Sequence, residues 1–389
     1  MKKVLITAGR VYTPHQTIEE GAVLIEGEKI KAVGEVKELP PEIKEGAEEI
    51  EAREDIVAPG FIDLHIHGGG GAEVMDSTPE ALEKLALFLA RHGTTGFLPT
   101  ILAAPPLKML KAIEAALSAL ERGIRGAKVL GLNLEGPFLN PRQRGAQRED
   151  GLRLPDAGLL RELITCGKGF IKIMTLAPEL KGALKLIELL ARESITPAAG
   201  HTEASFKEIE EAAQRGLKHI THTFNAMRGL HHREPGAAGA ALTLDTLSAE
   251  LIADGVHVHP AIMKLMLKAK GEEKIALITD AMRAAGLPEG EYDLGGQKVR
   301  VRGGEARLAD GTLAGSLLTL EKAVKNMIQR IGLTPNEALS LATTTPASII
   351  NLSQHKGRLA PGFDADLIIL NPNWEVKLTM IKGEIIYHT

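Results

Sequence analysis

From Ile56 onward the chain repeats one pattern: a short apolar run, a loop, then an amphipathic helix. The apolar runs fall at about 56–64, 94–100, 127–135, 170–176, 195–200, 218–221, 248–253 and 274–279. Between them, segments such as TPEALEKLALFLARH and PELKGALKLIELLARE repeat apolar residues three and four apart, the period of a helix with one buried face. Thr78 and Pro79 read as an N-cap and first turn, and Thr334, Pro335 and Glu337 as a capping box before a later helix. Eight strands alternating with helices bury both kinds of apolar face when the strands lie parallel inside and the helices outside. The pattern therefore predicts an α/β chain with a (β/α)8 TIM-type barrel over 56–354.

Both ends are β-rich. KKVLITAGRVYT and GAVLIEGEKIKAVG open the chain, and FDADLIILNPNWEVKLTMIKGEIIYHT closes it. Residues 1–55 and 355–389 are expected to build one small β-sandwich domain together. The 389 residues are 44% hydrophobic and 25% charged, ordinary for a globular enzyme, and a net charge of -4 gives no reason to expect nucleic acid or an anionic membrane as partner. No run approaches the roughly 20 apolar residues of a membrane span. Met1-Lys2-Lys3 precedes only a short apolar run, so no secretory leader is expected and the cytoplasm is the expected location. Cys166, the one cysteine, has no internal partner for a disulfide and reads as a packing thiol.

Barrel enzymes place their chemistry at the C-terminal ends of the strands. In PGFIDLHIHGGGG, His65 and His67 stand two apart where the first strand stops, so they face the same side. The four glycines are expected to leave room above them. The third strand ends at Glu135, the fifth at His201, the sixth at His222 and the eighth at Asp280. One such residue alone is more often a satisfied polar group than a ligand. Four histidines and two carboxylates on one rim suit a divalent transition metal such as Zn²⁺.

This set resembles the amidohydrolase superfamily of metal-dependent hydrolases, and within it the N-acetylglucosamine-6-phosphate deacetylase family. NLEGPFLNPRQRGAQ, TLAPE, AGHTEAS, THTFNAMRGLHHREPG, ADGVHV, TDAM and GTLAGS carry that resemblance across essentially the whole chain. It implies that Glu135 joins two metals, one held by His65 and His67 and one by His201 and His222. Zn is expected, with Fe, Mn or Co as alternatives. Many relatives bridge with a carbamylated lysine on the fourth strand, which makes Lys172 the rival to Glu135. Asp280 is implied as general base and acid.

The resemblance further implies substrate contacts at Ala146, Gln147, Asn225, Ala226, Arg233, Asp254, His257, Leu313, Ala314 and Gly315. Gln147 stands where some members have a histidine, so a cationic role there is in doubt. Arg233 is the expected phosphate ligand, acting in its own subunit or across a homodimer. His231 and His232 are placed near the entrance. His15, His92, His219, His355 and His388 read as surface or packing residues, and His259 as a poor ligand candidate. The implied reaction is deacetylation of an amino-sugar phosphate. An N-acetylgalactosamine 6-phosphate substrate, a cyclic amidase or deaminase, and an inactive scaffold are the alternatives; the filled ligand positions argue against the last.

Overall fold

The structure is a computed structural model and describes residues 2–13 and 16–389. His15 therefore lies outside the described residues. Eight parallel strands occupy the centre: β1 (Phe61–Ile66), β2 (Thr94–Leu102), β3 (Leu132–Glu135), β4 (Ile171–Leu176), β5 (Thr196–Ala199), β6 (His219–Ile220), β7 (Ser248–Ile252) and β8 (Ile275–Ile278). Each pairs with the next in that order. A helix follows each: α1 (Pro79–Arg91), α2 (Pro106–Arg122), α3 (Ala157–Cys166), α4 (Ala183–Arg192), α5 (Phe206–Gln214), α6 (Gly236–Thr243), α7 (Pro260–Lys270) and α8 (Leu320–Asn326).

The β1–β8 join closes the barrel under the site. The Leu341–Ala342 backbone wedges between the two strands, its carbonyls accepting from Leu277 N and Ile62 N at 2.8 Å each. Nearer the site, Asp280 N donates to His65 O and His67 N to Ala281 O, both at 2.9 Å. The buried Asp63 carboxylate takes the Thr279 hydroxyl at 2.6 Å and the His65 N–H at 3.2 Å. His65, His67 and Asp280 are thus anchored by the closure itself.

Helix starts follow local chemistry. Thr78 caps α1 through Ala81 N, and Ser205 with Glu208 forms a capping box on α5. The expected box of Thr334 and Glu337 is present, with Pro335 in the first turn. Along α1, Leu82, Leu85, Ala86 and Leu89 are buried, which is the expected apolar face. Cys166 ends α3, half-buried, with Sγ towards Leu110 O. Among the described residues no helix is long and apolar enough to cross a membrane.

Both ends do meet in one sheet of seven strands: Lys3–Tyr12, Thr17–Glu26, Lys29–Glu35 and Glu48–Pro59 from the N-terminal part, and Leu367–Leu370, Val376–Ile381 and Glu384–His388 from the C-terminal part. Two strands fuse it to the barrel by alternation. Val57, Leu367 and Ile369 pack within the small sheet, whereas Ile56, Ala58, Ile368 and Leu370 join the barrel core. The strand expected at 56–64 is therefore two strands: Glu48–Pro59 stays in the small sheet, and β1 begins after Gly60. The boundary expected between residues 55 and 56 falls inside the first of these.

Between β8 and α8 lies an antiparallel sheet of Gly290–Leu294, Gln297–Arg302 and Glu305–Arg307. Its buried Leu294, Val299, Val301 and Ala306 pack with Leu102 and Met282. This insertion forms part of the wall at the mouth of the barrel. The helix α8 that follows this sheet starts at Leu320 and runs into a π-helical turn at Met327–Ile331.

Candidate active site

Two groups of side chains converge where β1, β3, β5, β6 and β8 end. One is His65, His67 and Asp280, the other Glu135, His201 and His222; within each, one ligand atom per residue lies within 4.8 Å of the others. Glu135 stands between them. Its Oε1 is 2.8 Å from His201 Nε2 and 2.9 Å from His222 Nε2, and its Oε2 is 3.3 Å from His67 Nε2. Asp280 Oδ1 is 3.1 Å from His67 Nε2 and 3.6 Å from His65 Nε2.

The outward nitrogens show what these groups can hold. His67 Nδ1 faces Thr100 O at 3.1 Å, His201 Nδ1 faces Gln143 O at 2.8 Å, and His65 Nδ1 faces Glu250 Oε2 at 3.0 Å. An oxygen acceptor requires an N–H, so these three rings, when neutral, carry their protons on Nδ1 and present bare Nε2 lone pairs to the carboxylates; His222 Nδ1 is buried without a partner. His65 Nε2 is buried without a hydrogen-bond partner, and the Nε2 atoms of His201 and His222 face each other at 3.1 Å. Lone pairs crowded against carboxylate oxygens are unfavourable unless a cation or extra protons lie between them. The donor set fits divalent metal at both groups.

Protons compete for the same lone pairs. Burial opposes the charged form of His65, but the Glu250 and Glu135 carboxylates outweigh it and raise its pKa well above the ordinary value. For His67, burial is likewise outweighed by Asp280 and Glu135, giving about 9. Burial alone would raise Glu135; the His65 and His201 charges hold it well below the usual carboxylate range instead. Burial would raise Asp280 too, but its bond to His67 outweighs that and lowers it, so it is held ionised. His201, His222 and Asp280 have left-handed backbone with φ of 48°, 26° and 48°, uncommon for side-chain-bearing residues and a frequent mark of functional sites.

A cleft of about 550 Å³ opens above these groups, within the size of small-molecule sites. His67, Glu135, His201, His222 and Asp280 form part of its lining, while His65 is fully buried. Of the expected substrate residues, Ala146, Gln147, Asn225, Ala226, His257, Leu313 and Gly315 line it. Asp254 and Ala314 stand behind the wall: Asp254 Oδ2 accepts from His257 Nδ1 at 2.7 Å, and Ala314 is fully buried. Arg233 does not line this cleft; it is exposed, with its guanidinium 2.9 Å from His232 Nε2. The glycines after His67 do not leave room for a ligand. A Cβ on Gly69 would meet the Phe88 ring at 2.5 Å, and one on Gly68 would meet Ala72 O at 2.4 Å and Arg283 N at 2.9 Å. They serve close packing beside the site.

The amidohydrolase family model matches residues 56–386. The chain belongs to the amidohydrolase family. Its N-terminal strands match a second model, the NagA composite domain, over residues 5–47. The N-acetylglucosamine-6-phosphate deacetylase of Bacillus subtilis (strain 168) is 40% identical over 390 aligned positions, covering 99% of this chain and 98% of the relative. An N-acetylgalactosamine-6-phosphate deacetylase of Escherichia coli O157:H7 is 40% identical over 331 positions, 85% of this chain and 88% of the relative. A solved structure of a Mycobacterium smegmatis N-acetyl-D-glucosamine-6-phosphate deacetylase variant, in complex with N-acetyl-D-glucosamine-6-phosphate, matches with a TM-score of 0.92 and 34% identity over 100% of both chains.

For this amidohydrolase the rival bridge, Lys172, is misplaced. It is the second residue of β4, far from the strand's C-terminal end, and its Cγ lies 2.2 Å from where a Cβ on Gly131 would stand. His219 is buried and hydrogen-bonded to Glu250 and Ser248, and His92 pairs with Glu321 at 2.7 Å. His355 and His388 are exposed, and exposed His259 caps α7. His231 and His232 lie with ring centroids 4.4 Å apart and planes tilted by 38°, exposed and outside the cleft lining. Sequence reasoning missed Arg142, Arg144, Arg307 and Asp310, which line the cleft, and Glu250, which lies beneath it. Arg142 and Arg144 stand in the quoted NPRQRGAQ run, so a signal for them existed.

Proposed function

We propose that the chain hydrolyses the acetamide of N-acetylglucosamine 6-phosphate to glucosamine 6-phosphate and acetate. The observation that carries this is the set of bare Nε2 nitrogens gathered around Glu135 and Asp280 on a cleft of sugar-phosphate size. Its relatives carry that activity in their names. His65, His67 and Asp280 would hold one divalent cation and Glu135, His201 and His222 a second, with Glu135 shared and Zn²⁺ the first choice. Bound there, such cations lower the pKa of a water towards ~7 and polarise an amide carbonyl.

The chain's own residues supply the rest. Asp280, ionised and anchored through its main chain to β1, takes a proton from the attacking water. The water oxygen bonds to the acetyl carbon, the C–N bond breaks, and Asp280 returns the proton to the leaving amine nitrogen. The Ala226 backbone and His257 line the cleft as candidate donors for sugar and phosphate oxygens; Asn225 lines it as well, with its side-chain N–H groups turned to His222 O and Thr223 O. Gln147 and Ala146 close the opposite wall. Arg233 lies outside its own subunit's cleft, which supports a homodimer in which it reaches the partner's site. We place the enzyme in the cytoplasm.

The test is acetate release from N-acetylglucosamine 6-phosphate, its galacto epimer and unphosphorylated N-acetylglucosamine, with metal content measured on the same preparation. Activity is expected on the phosphorylated gluco substrate above both others. A preference for the galacto epimer would move the assignment to the reading that the Escherichia coli relative suggests. No release from any of the three would sink the deacetylase reading.

A further inference from the structure

Glu250 belongs to neither converging group. It sits in β7, fully buried, and does not line the cleft. Its Oε2 accepts from His65 Nδ1 at 3.0 Å and from the main-chain N–H of His222 at 2.9 Å. Its Oε1 accepts from His219 Nε2 at 3.1 Å, and His219 Nδ1 contacts Ser248 Oγ at 2.7 Å. One buried carboxylate therefore touches a residue of each proposed cation group, and imidazole and amide N–H groups are what satisfy it. The His65 atom on the far side of the ring, Nε2, is buried without a hydrogen-bond partner.

We propose that Glu250 is the positioning residue of the first cation site. It rests on the two-cation reading above. Accepting from Nδ1 fixes the tautomer of His65, sets the plane of its ring and makes Nε2 a stronger donor towards the cation. The second bond, to His222 N, anchors the carboxylate on main chain, so its Oε2 stays aimed at His65 Nδ1. Neither effect needs Glu250 to touch substrate or cation.

The test compares Glu250→Gln with wild type, read by cation titration and elemental analysis, with His65→Gln marking which step belongs to the first site. A glutamine can keep its oxygen on His65 Nδ1 and His222 N while turning its NH₂ to His219, whose tautomer can switch against Ser248. It keeps the shape and removes the charge. First-site affinity is expected to fall about 10- to 100-fold, with the second site unchanged and turnover restored by excess cation. Unchanged first-site affinity, or equal loss at both sites, overturns the proposal while leaving the two-cation reading standing. A wild type that never holds more than one cation sinks that reading and this proposal with it. Should the variant not fold, ¹⁵N-histidine NMR of the zinc-loaded wild type decides: a proton on Nδ1 of His65 supports the proposal, and one on Nε2 overturns it.

Discussion

Gln147 Nε2 donates to Oε2 of Glu135 at 2.5 Å, and the amide is kept from turning round because its Oε1 accepts the Ala103 main-chain N–H at 3.0 Å. The carboxylate is thereby held with Oε1 towards His201 and His222 and Oε2 towards His67. Gln147 acts on Glu135 as well as on the cleft wall.

Gln147→Leu removes both bonds at similar size. A hydrogen bond to a buried charge is worth ~1.5–3 kcal/mol, so kcat/KM should fall roughly 10- to 150-fold. Gln147→Glu should do worse, since it sets two carboxylates together and raises one pKa. Steady-state kinetics with metal content decide it: wild-type kcat/KM in both variants would show that Glu135 is held without this amide.

Asp280→Asn keeps the anchoring main-chain bonds and removes the proton acceptor. Turnover should drop by at least ~10²-fold, the low end for acid–base catalysis. Substrate binding should be mostly kept. Near-normal kcat would assign the proton transfer to another group.

The pair of Asp254 and His257 predicts a pH dependence. Burial works against the charged form of His257, but the Asp254 hydrogen bond and charge outweigh it, so its pKa is raised from 6.5. Burial would raise Asp254, yet its bond to His257 lowers it from 3.8. The His257 contribution to stability is full below pH 6.5 and fades as pH rises through the raised folded value. The Asp254 contribution is present above pH 3.8 and is lost as pH falls through the lowered one. Asp254→Asn should leave burial in control, so the imidazole loses its proton at lower pH. KM for the phosphorylated sugar should then rise at a lower pH than in wild type, with the ring titration followed by NMR. Superimposable pH profiles would mean that His257 binds substrate as a neutral donor.

Local periodicity made the barrel readable, because each strand and helix declares its apolar face within a dozen residues. His65 and His67 were readable for the same reason: two apart at a strand end fixes a shared side. Glu250 was not. It is a lone carboxylate inside SAELI, and the histidine that explains it lies 185 residues earlier. The glycines were misread because the Phe88 ring that fills their space comes from α1. The wall sheet did leave a signal, with Val299 and Val301 buried between exposed Lys298, Arg300 and Arg302 and Gly-Gly turns on either side. Overlooking it hid Arg307, which enters the cleft from that sheet.

The cleft's own arginines bear on phosphate selectivity. Arg144 donates to Gln147 O at 3.0 Å, which leaves further guanidinium N–H groups for a ligand; Arg307 is tied to Glu305 and Gly311 O. Arg233, the expected phosphate ligand, is outside the cleft of its own chain. If it serves a partner's site, Arg233→Ala should lower kcat/KM for the phosphorylated sugar roughly 10- to 100-fold, the worth of one charge-assisted bond, and barely change the unphosphorylated one. Mixing Arg233→Ala subunits with Asp280→Asn subunits should then rebuild activity, because one hybrid site combines a normal Asp280 with a partner's intact arginine. Selective loss in Arg144→Ala instead, with Arg233→Ala unaffected, would place the phosphate grip within a single subunit.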